Sequence, residues 1–251
     1  MRLFPGKLWL LAILAVGLKT SGLAQKSQKA VSIFDGKTLK GWDGDPNYWR
    51  VEDGNLVGEI TPDKPLKTNS FIIWKGGEPG DFELTGEFNI TGDGNSGINY
   101  RSDQLTDVPF ALRGYQADID GRNRYTGQNY EERKRTTLAY RGQKTTINAY
   151  SGDATPEAIR AKVSKNAWSN LTVNGSLGSS DSLKTFIKEG DWNTFRLVIK
   201  GNHLQHYVND VLMSDVTDDD TVNSKVKGLI GVQVHVGPPM KVQYRKLMLK
   251  Q

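Results

Sequence analysis

Along most of this chain, hydrophobic and polar residues alternate with a period of two, the mark of strands that bury one face. The clearest run is 82–90, where Phe82, Leu84, Gly86, Phe88 and Ile90 share one side and Glu83, Thr85, Glu87 and Asn89 the other. Weaker versions predict strands at 31–34, 49–52, 55–59, 71–75, 94–102, 114–120, 168–173, 195–200, 204–208, 229–236 and 242–249. Asp53-Gly54 between two of them is a hairpin signal, since glycine accepts positive φ at little cost. Asn209-Asp210 reads as another turn. One short helix is expected: Thr155 supplies an N-cap, Pro156 the first turn and Glu157 an acid at the positive end, with the helix closing near Val163. Residues 175–182 are small and polar and read as a surface loop. About a dozen strands with no dividing linker predict one domain, all-β, a jelly-roll sandwich of two antiparallel sheets whose curvature can leave a polar groove.

The strand 114–120 breaks the usual surface pattern. Tyr115, Ala117 and Ile119 occupy one face, but the other carries Gln116, Asp118 and Asp120. Two acids about 7 Å apart on one strand repel each other, which costs stability unless something useful lies above them. Other strands share this habit. Asn95, Gly97, Asn99 and Arg101 fall on one side of theirs, and Gln233 and His235 oppose inward valines. Tyr130-Glu131-Glu132-Arg133 adds two acids and a guanidinium. If these strands are neighbours, Arg101, Gln116, Asp118, Asp120, Glu131, Arg133, Gln233 and His235 converge, a set suited to a polyhydroxylated ligand and to acid/base work. Asp118 and Asp120 also offer hard oxygen ligands to a divalent cation, but calcium-loop spacing is absent, so no cofactor is assigned and a metal stays open. His203 and His206 read as structural, and Asp218, Asp219 and Asp220 as a solvated acidic loop. Retaining glucanases of jelly-roll type set two glutamates and an aspartate on alternate positions of one strand. Here Gln116 fills the first slot, and an amide can be neither nucleophile nor proton donor.

Composition narrows the setting. Arg2 and Lys7 precede an apolar run from Leu8 to Leu18, and Gly22 and Ala24 make a small-residue exit, which describes a secretory signal peptide over 1–24. A domain over 25–251 in the periplasm or secreted is the expectation. The chain has no cysteine, so neither a lipid anchor at that exit nor a disulfide is available, and core packing must hold the fold. The leader removes Arg2, Lys7 and Lys19 from 33 basic residues against 28 acidic. The remainder is nearly neutral, which argues against nucleic acid or an anionic membrane as partner. Oligomeric state has no signature.

Several blocks together resemble a known family. They are Phe34-Asp35-Gly36-Lys37-Thr38-Leu39-Lys40-Gly41-Trp42, Trp49-Arg50-Val51-Glu52-Asp53-Gly54, Gly94 through Ser102, Gly114 through Asp120, Tyr130-Glu131-Glu132-Arg133, Gly231 through His235, and Val242-Gln243-Tyr244-Arg245. The set is similar to the 3-keto-disaccharide hydrolase domain, also described as a 3-keto-glucoside 1,2-lyase and 3-keto-2-hydroxyglucal hydratase. Lys134 departs from the small residue expected after the Glu-Glu-Arg block. The resemblance implies a concanavalin-like jelly roll, bacterial export and an oxidised sugar as partner. It also implies elimination across C1 and C2 of a 3-keto-glucoside, followed by hydration. On that scheme the base is His235 or one of Asp118 and Asp120, Arg101 stabilises the oxyanion, and Glu131 protonates the leaving oxygen. Gln116, Gln233 and Tyr100 hold hydroxyls, with Asn99 and Arg133 beside them. The alternative is a non-catalytic carbohydrate-binding module of lectin type, with the groove but no need of a base.

Overall fold

The computed structural model describes Met1 and residues 29–251, so the leader read at 1–24 lies, Met1 apart, outside the described residues. Two sheets pack face to face in a concanavalin-like jelly-roll sandwich. The site sheet runs, in order, Val163–Ser164, Ala167–Trp168, Thr136–Ala139, Asn129–Glu132, Leu112–Asp120, Asn95–Gln104, Leu229–Val234, Ser70–Trp74 and Trp42–Asp43. The back sheet runs Leu171–Ser176, Gln143–Ile147, Val211–Asp218, His203–Val208, Asn193–Lys200, Phe82–Ile90, Met240–Lys250, Asn55–Ile60 and Trp49–Glu52, with Val31–Ser32 against Met240–Lys250. The alternating residues seen in the sequence meet between them: Phe82, Leu84, Phe88 and Ile90 from the back sheet, and Ile98, Tyr115, Ala117 and Ile119 from the site sheet, share one apolar core.

Local signals translate into local structure. Asp53 and Gly54 both take positive φ, 49° and 78°, and close the hairpin between Trp49–Glu52 and Asn55–Ile60. Asn209 and Asp210 do the same at 47° and 63° between His203–Val208 and Val211–Asp218. The expected helix spans Pro156–Ala161, and the Thr155 side chain accepts from the Ala158 amide.

Three expectations need correction. The sheets are mixed rather than purely antiparallel, because Gln143–Ile147 runs parallel to Val211–Asp218 and Thr136–Ala139 parallel to Ala167–Trp168. A second helix, Ser180–Lys184, begins inside the stretch read as a loop, with the Ser179 hydroxyl accepting from the Ser182 amide. Finally, Asp218 and Asp220 are buried, not solvated; both bind the side chain of Arg135. Charge pairing explains what polarity alone hides.

Candidate active site

The strand Leu112–Asp120 forms the floor of a small cavity on the outer face of the site sheet. Its core-facing residues fix its phase, so Gln116 and Asp118 must project away from the sandwich. Antiparallel register with Asn95–Gln104 sets Gly97 opposite Asp118 and Asn99 opposite Gln116. On the other flank, Tyr130 lies opposite Gln116 and Glu132 opposite Gly114. His235 follows the strand Leu229–Val234, and its amide donates to the Asn95 carbonyl at 3.3 Å. The result is a cavity of about 200 Å³ lined by Asn95, Gln116, Asp118, Gln128, Tyr130, Glu132 and His235, with Tyr125 and Asn166 at its edge.

Amides hold the acids in place. The Gln116 side chain donates to one oxygen of Asp118 at 2.6 Å, and Gln128 donates to the other. Gln233 donates to the Gln116 carbonyl oxygen at 3.2 Å, and Asn69 donates to Glu132 at 3.1 Å. Burial pushes the Asp118 carboxyl up to about 7, and the negative charges of Glu132 and Asp120 add to the rise against the two amide hydrogen bonds. Burial also raises Glu132, against the pull of Asn69, Arg133 and His235. Burial first, then Glu132 and Asp118, hold the Tyr130 phenol far above its ordinary range, so it can donate a proton in a hydrogen bond without ionising. His235 donates from Nδ1 to the Val236 carbonyl at 2.7 Å, which leaves Nε2 as a lone-pair acceptor. Two acids of raised proton affinity, a donor phenol and an imidazole nitrogen not used in the ring's own hydrogen bond can move protons on a ligand in this cavity.

Glycine at position 97 makes room for this arrangement. A Cβ there would stand 2.4 Å from Gln116 Cδ. Gly97→Ala should therefore push the Gln116 amide off Asp118 and remove a hydrogen bond that lowers the acid. We expect the Asp118 carboxyl, followed by carbon-13 NMR, to titrate higher by roughly half to one pH unit. An unmoved titration would show that Gln116 does not tune it.

Several residues expected in the site lie elsewhere. Arg101 sits in a β-bulge, with φ of 45°, where the register slips between Tyr100 and Asp103. The extra residue rotates its side chain off the shared face, and it donates instead to the carbonyls of Gly80, Gly201 and Lys225 and to Asp81. Glu131 faces the core, because its partner in register is Tyr115, and it is bound by Arg135. Tyr100 also points inward, with its hydroxyl 2.9 Å from His206 Nε2. Asp120 is on the correct face but caps the loop after it, accepting from the amides of Arg124, Tyr125 and Thr126. Arg133 stands at the rim, 3.7 Å from Glu132, and donates to Thr68. Gln233 and Asn99 underlie the cavity rather than line it; Asn99 is fully buried, and neither amide atom has a partner. Of the proton-transfer groups expected from the sequence, the structure brings Asp118 and His235 together.

Glu132, Gln128, Tyr130 and Asn95 complete the constellation. Glu132 was visible as one of two adjacent acids, but only register decides which of the pair faces out. Gln128 arrives on the loop capped by Asp120, which carries no periodic signal. As for a cation, the oxygens of Asp118 meet side-chain amides and those of Asp120 meet backbone N–H groups. That donor set does not fit a metal bridging the two carboxylates. His203 and His206 are structural: His203 pairs with Asp215, and His206 is enclosed in the core, where burial lowers it to about 4.

A family model described as a 3-keto-alpha-glucoside-1,2-lyase-like domain matches residues 29–250. Among solved structures, a candidate glycosyl hydrolase from Parabacteroides distasonis ATCC 8503 is similar over 88% of this chain and 98% of its own, at 17% identity and a TM-score of 0.54. A second such protein from that organism aligns over 88% of this chain and 93% of its own, at 17% identity and a TM-score of 0.51. The carbohydrate-binding module CBM66 of Bacillus subtilis aligns over 84% and 96%, at 15% identity and a TM-score of 0.49. At these identities the structural likeness speaks to fold alone. No curated protein sequence matches the chain.

Proposed function

Because this chain belongs to the 3-keto-alpha-glucoside-1,2-lyase-like domain family, and so to a carbohydrate-related group, we propose that it cleaves 3-keto-glucosides by elimination followed by hydration. The observation that carries the reading is Asp118, a buried carboxyl held at about 7 beside Glu132 in a ring-sized cavity. A ketone at C3 acidifies the C2 proton. Asp118 takes that proton, with the free Nε2 of His235 as the second base within the cavity. The electron pair left on C2 flows to the C3 oxygen, and the Tyr130 hydroxyl or the Gln128 amide donates to the enolate that forms. Collapse of the enolate expels the C1 oxygen, which Glu132 protonates; its raised affinity for a proton suits it to that task. Water then adds at C1 and a proton returns to C2, giving net hydrolysis without an oxocarbenium ion. Relative to the family-based expectation, Glu132 takes the part given to Glu131, and neutral donors take that of Arg101.

A lectin-like module would bind sugar without needing two carboxyls of raised proton affinity, and their presence favours the enzyme. The leader-like sequence at 1–24 supports a location outside the cytoplasm. The test is incubation with matched 3-keto-glucosides and their unoxidised parents while the absorbance of the conjugated enone is recorded. Release of aglycone with a transient enone from the keto sugars alone is expected. Cleavage of the parent sugars, or binding with no turnover of any keto sugar, would overturn the proposal.

A further inference from the structure

A second, larger cavity of about 930 Å³ adjoins the first, and Tyr130 and Asn166 line both. Its walls carry Arg113, Arg133, Lys134 and Arg160, against a single acid, Asp107. Such a concentration of one sign raises the local positive potential, and clefts focus such fields. Three of the four cations reach a carboxylate only at 3.7 or 3.8 Å, longer than a direct hydrogen bond. Arg160, on the helix Pro156–Ala161, makes no ion pair among the described residues, and Arg113 is 3.8 Å from Asp103. Lys134 donates to the Asn223 carbonyl and lies 3.7 Å from Glu131. Burial lowers its proton affinity against the pull of Glu131, and the positive charges of Arg135 and Arg113 lower it further. Like charges held together at a cavity wall destabilise the empty protein, and an anion would relieve them.

We propose that this basic cavity receives an anionic group, a carboxylate or a sulfate ester, on the unit attached to the sugar held over Asp118. The placement follows from the shared wall: Arg133 stands between Glu132, on the leaving-group side of the first cavity, and the larger space. The cavity is large enough for a second sugar or an aromatic aglycone. The proposal rests on the keto-glucoside reading for the identity of the first ring, and not for the charge preference itself.

The test compares phenyl 3-keto-glucosides that differ only in a para substituent: carboxylate, sulfate ester or uncharged carboxamide. For the full chain we expect kcat/KM to favour the charged substrates by at least about tenfold at low salt, and the preference to shrink as salt screens the site. R113A combined with R160A should collapse the charged-to-neutral ratio towards one, and R160K in the R113A background should restore part of it. A preference for carboxylate alone or sulfate ester alone would identify the anion. Equal kcat/KM across the series overturns the proposal while leaving the keto-glucoside reading intact. If no keto sugar is turned over, calorimetric binding of the corresponding unoxidised glucosides decides it: tighter, salt-sensitive binding of the charged ones supports the anion site, and indifference to charge removes it.

Discussion

Replacing Asp118 by Asn should lower turnover of a 3-keto-glucoside by at least about a hundredfold while making the protein more stable at neutral pH. Both effects come from the same burial. In the wild type the carboxyl goes from an ordinary 3.8 in the unfolded chain to about 7 in the fold. Below about pH 4 both states carry the proton. Between about 4 and 7 the unfolded chain loses it and the folded one keeps it, so this group's contribution to stability declines as pH rises and is at its lowest above 7. The loss is on the order of 4 kcal/mol. Asn does not titrate, so the variant should gain on the wild type through that window and hold its lead above it. The amides of Gln116 and Gln128 can turn to satisfy an Asn. For the wild-type rate the sign is reversed: kcat/KM should climb with pH through about 7 as Asp118 becomes a competent base, and the variant should lack that limb. Denaturation midpoints at pH 4 and pH 8, with rate profiles over the same range, check both halves. A variant with undiminished turnover would remove Asp118 from the chemistry, and one with no stability gain between the two pH values would deny that the carboxyl is strained.

How far the sequence could be read depended on whether a feature was local. The strand Phe82–Ile90 and the Asp53-Gly54 hairpin depend on near neighbours, so their pattern was sufficient to find them. The floor of the site was legible for the same reason: Gln116 and Asp118 alternate with Tyr115, Ala117 and Ile119, and a strand cannot turn one set inward without turning the other out. Arg101 failed because a bulge is an irregularity in pairing between two strands, and nothing in Asn99-Tyr100-Arg101-Ser102 marks where register slips. Glu131 and Glu132 posed a question of phase. Their strand, Asn129–Glu132, is too short to reveal an apolar period, and its inward face is itself charged. The buried pair Asp218 and Asp220 misled in the opposite direction, since a run of acids ordinarily marks solvent and here marks an unseen partner.

That partner, Arg135, should be among the least replaceable residues of the fold. Its side chain is fully enclosed between the sheets. It donates to Glu131 at 2.5 Å from the site sheet, to Asp218 at 2.7 Å from the end of a back-sheet strand, and to Asp220 at 3.2 Å in the loop beyond. The Tyr115 hydroxyl, which also donates to Asp218, links this cluster to the strand that carries Asp118. The surrounding carboxylates keep the guanidinium charged, well above its ordinary range, despite the burial that opposes it. Arg135→Met retains much of the volume but leaves three buried carboxylates without their cation. Breaking a buried ion pair by removing one member costs about 3–5 kcal/mol. For a protein of this size that corresponds to a fall in melting temperature of roughly 6–20 °C. Adding E131Q and D218N to the variant should recover part of the loss, since the carboxylates' destabilisation depends on their charge. Calorimetric melting of the three proteins at pH 7.5 measures both effects. A Met variant within about 1 kcal/mol of wild type at pH 7.5 would mean the cluster is wet and the sheets are held by apolar packing alone.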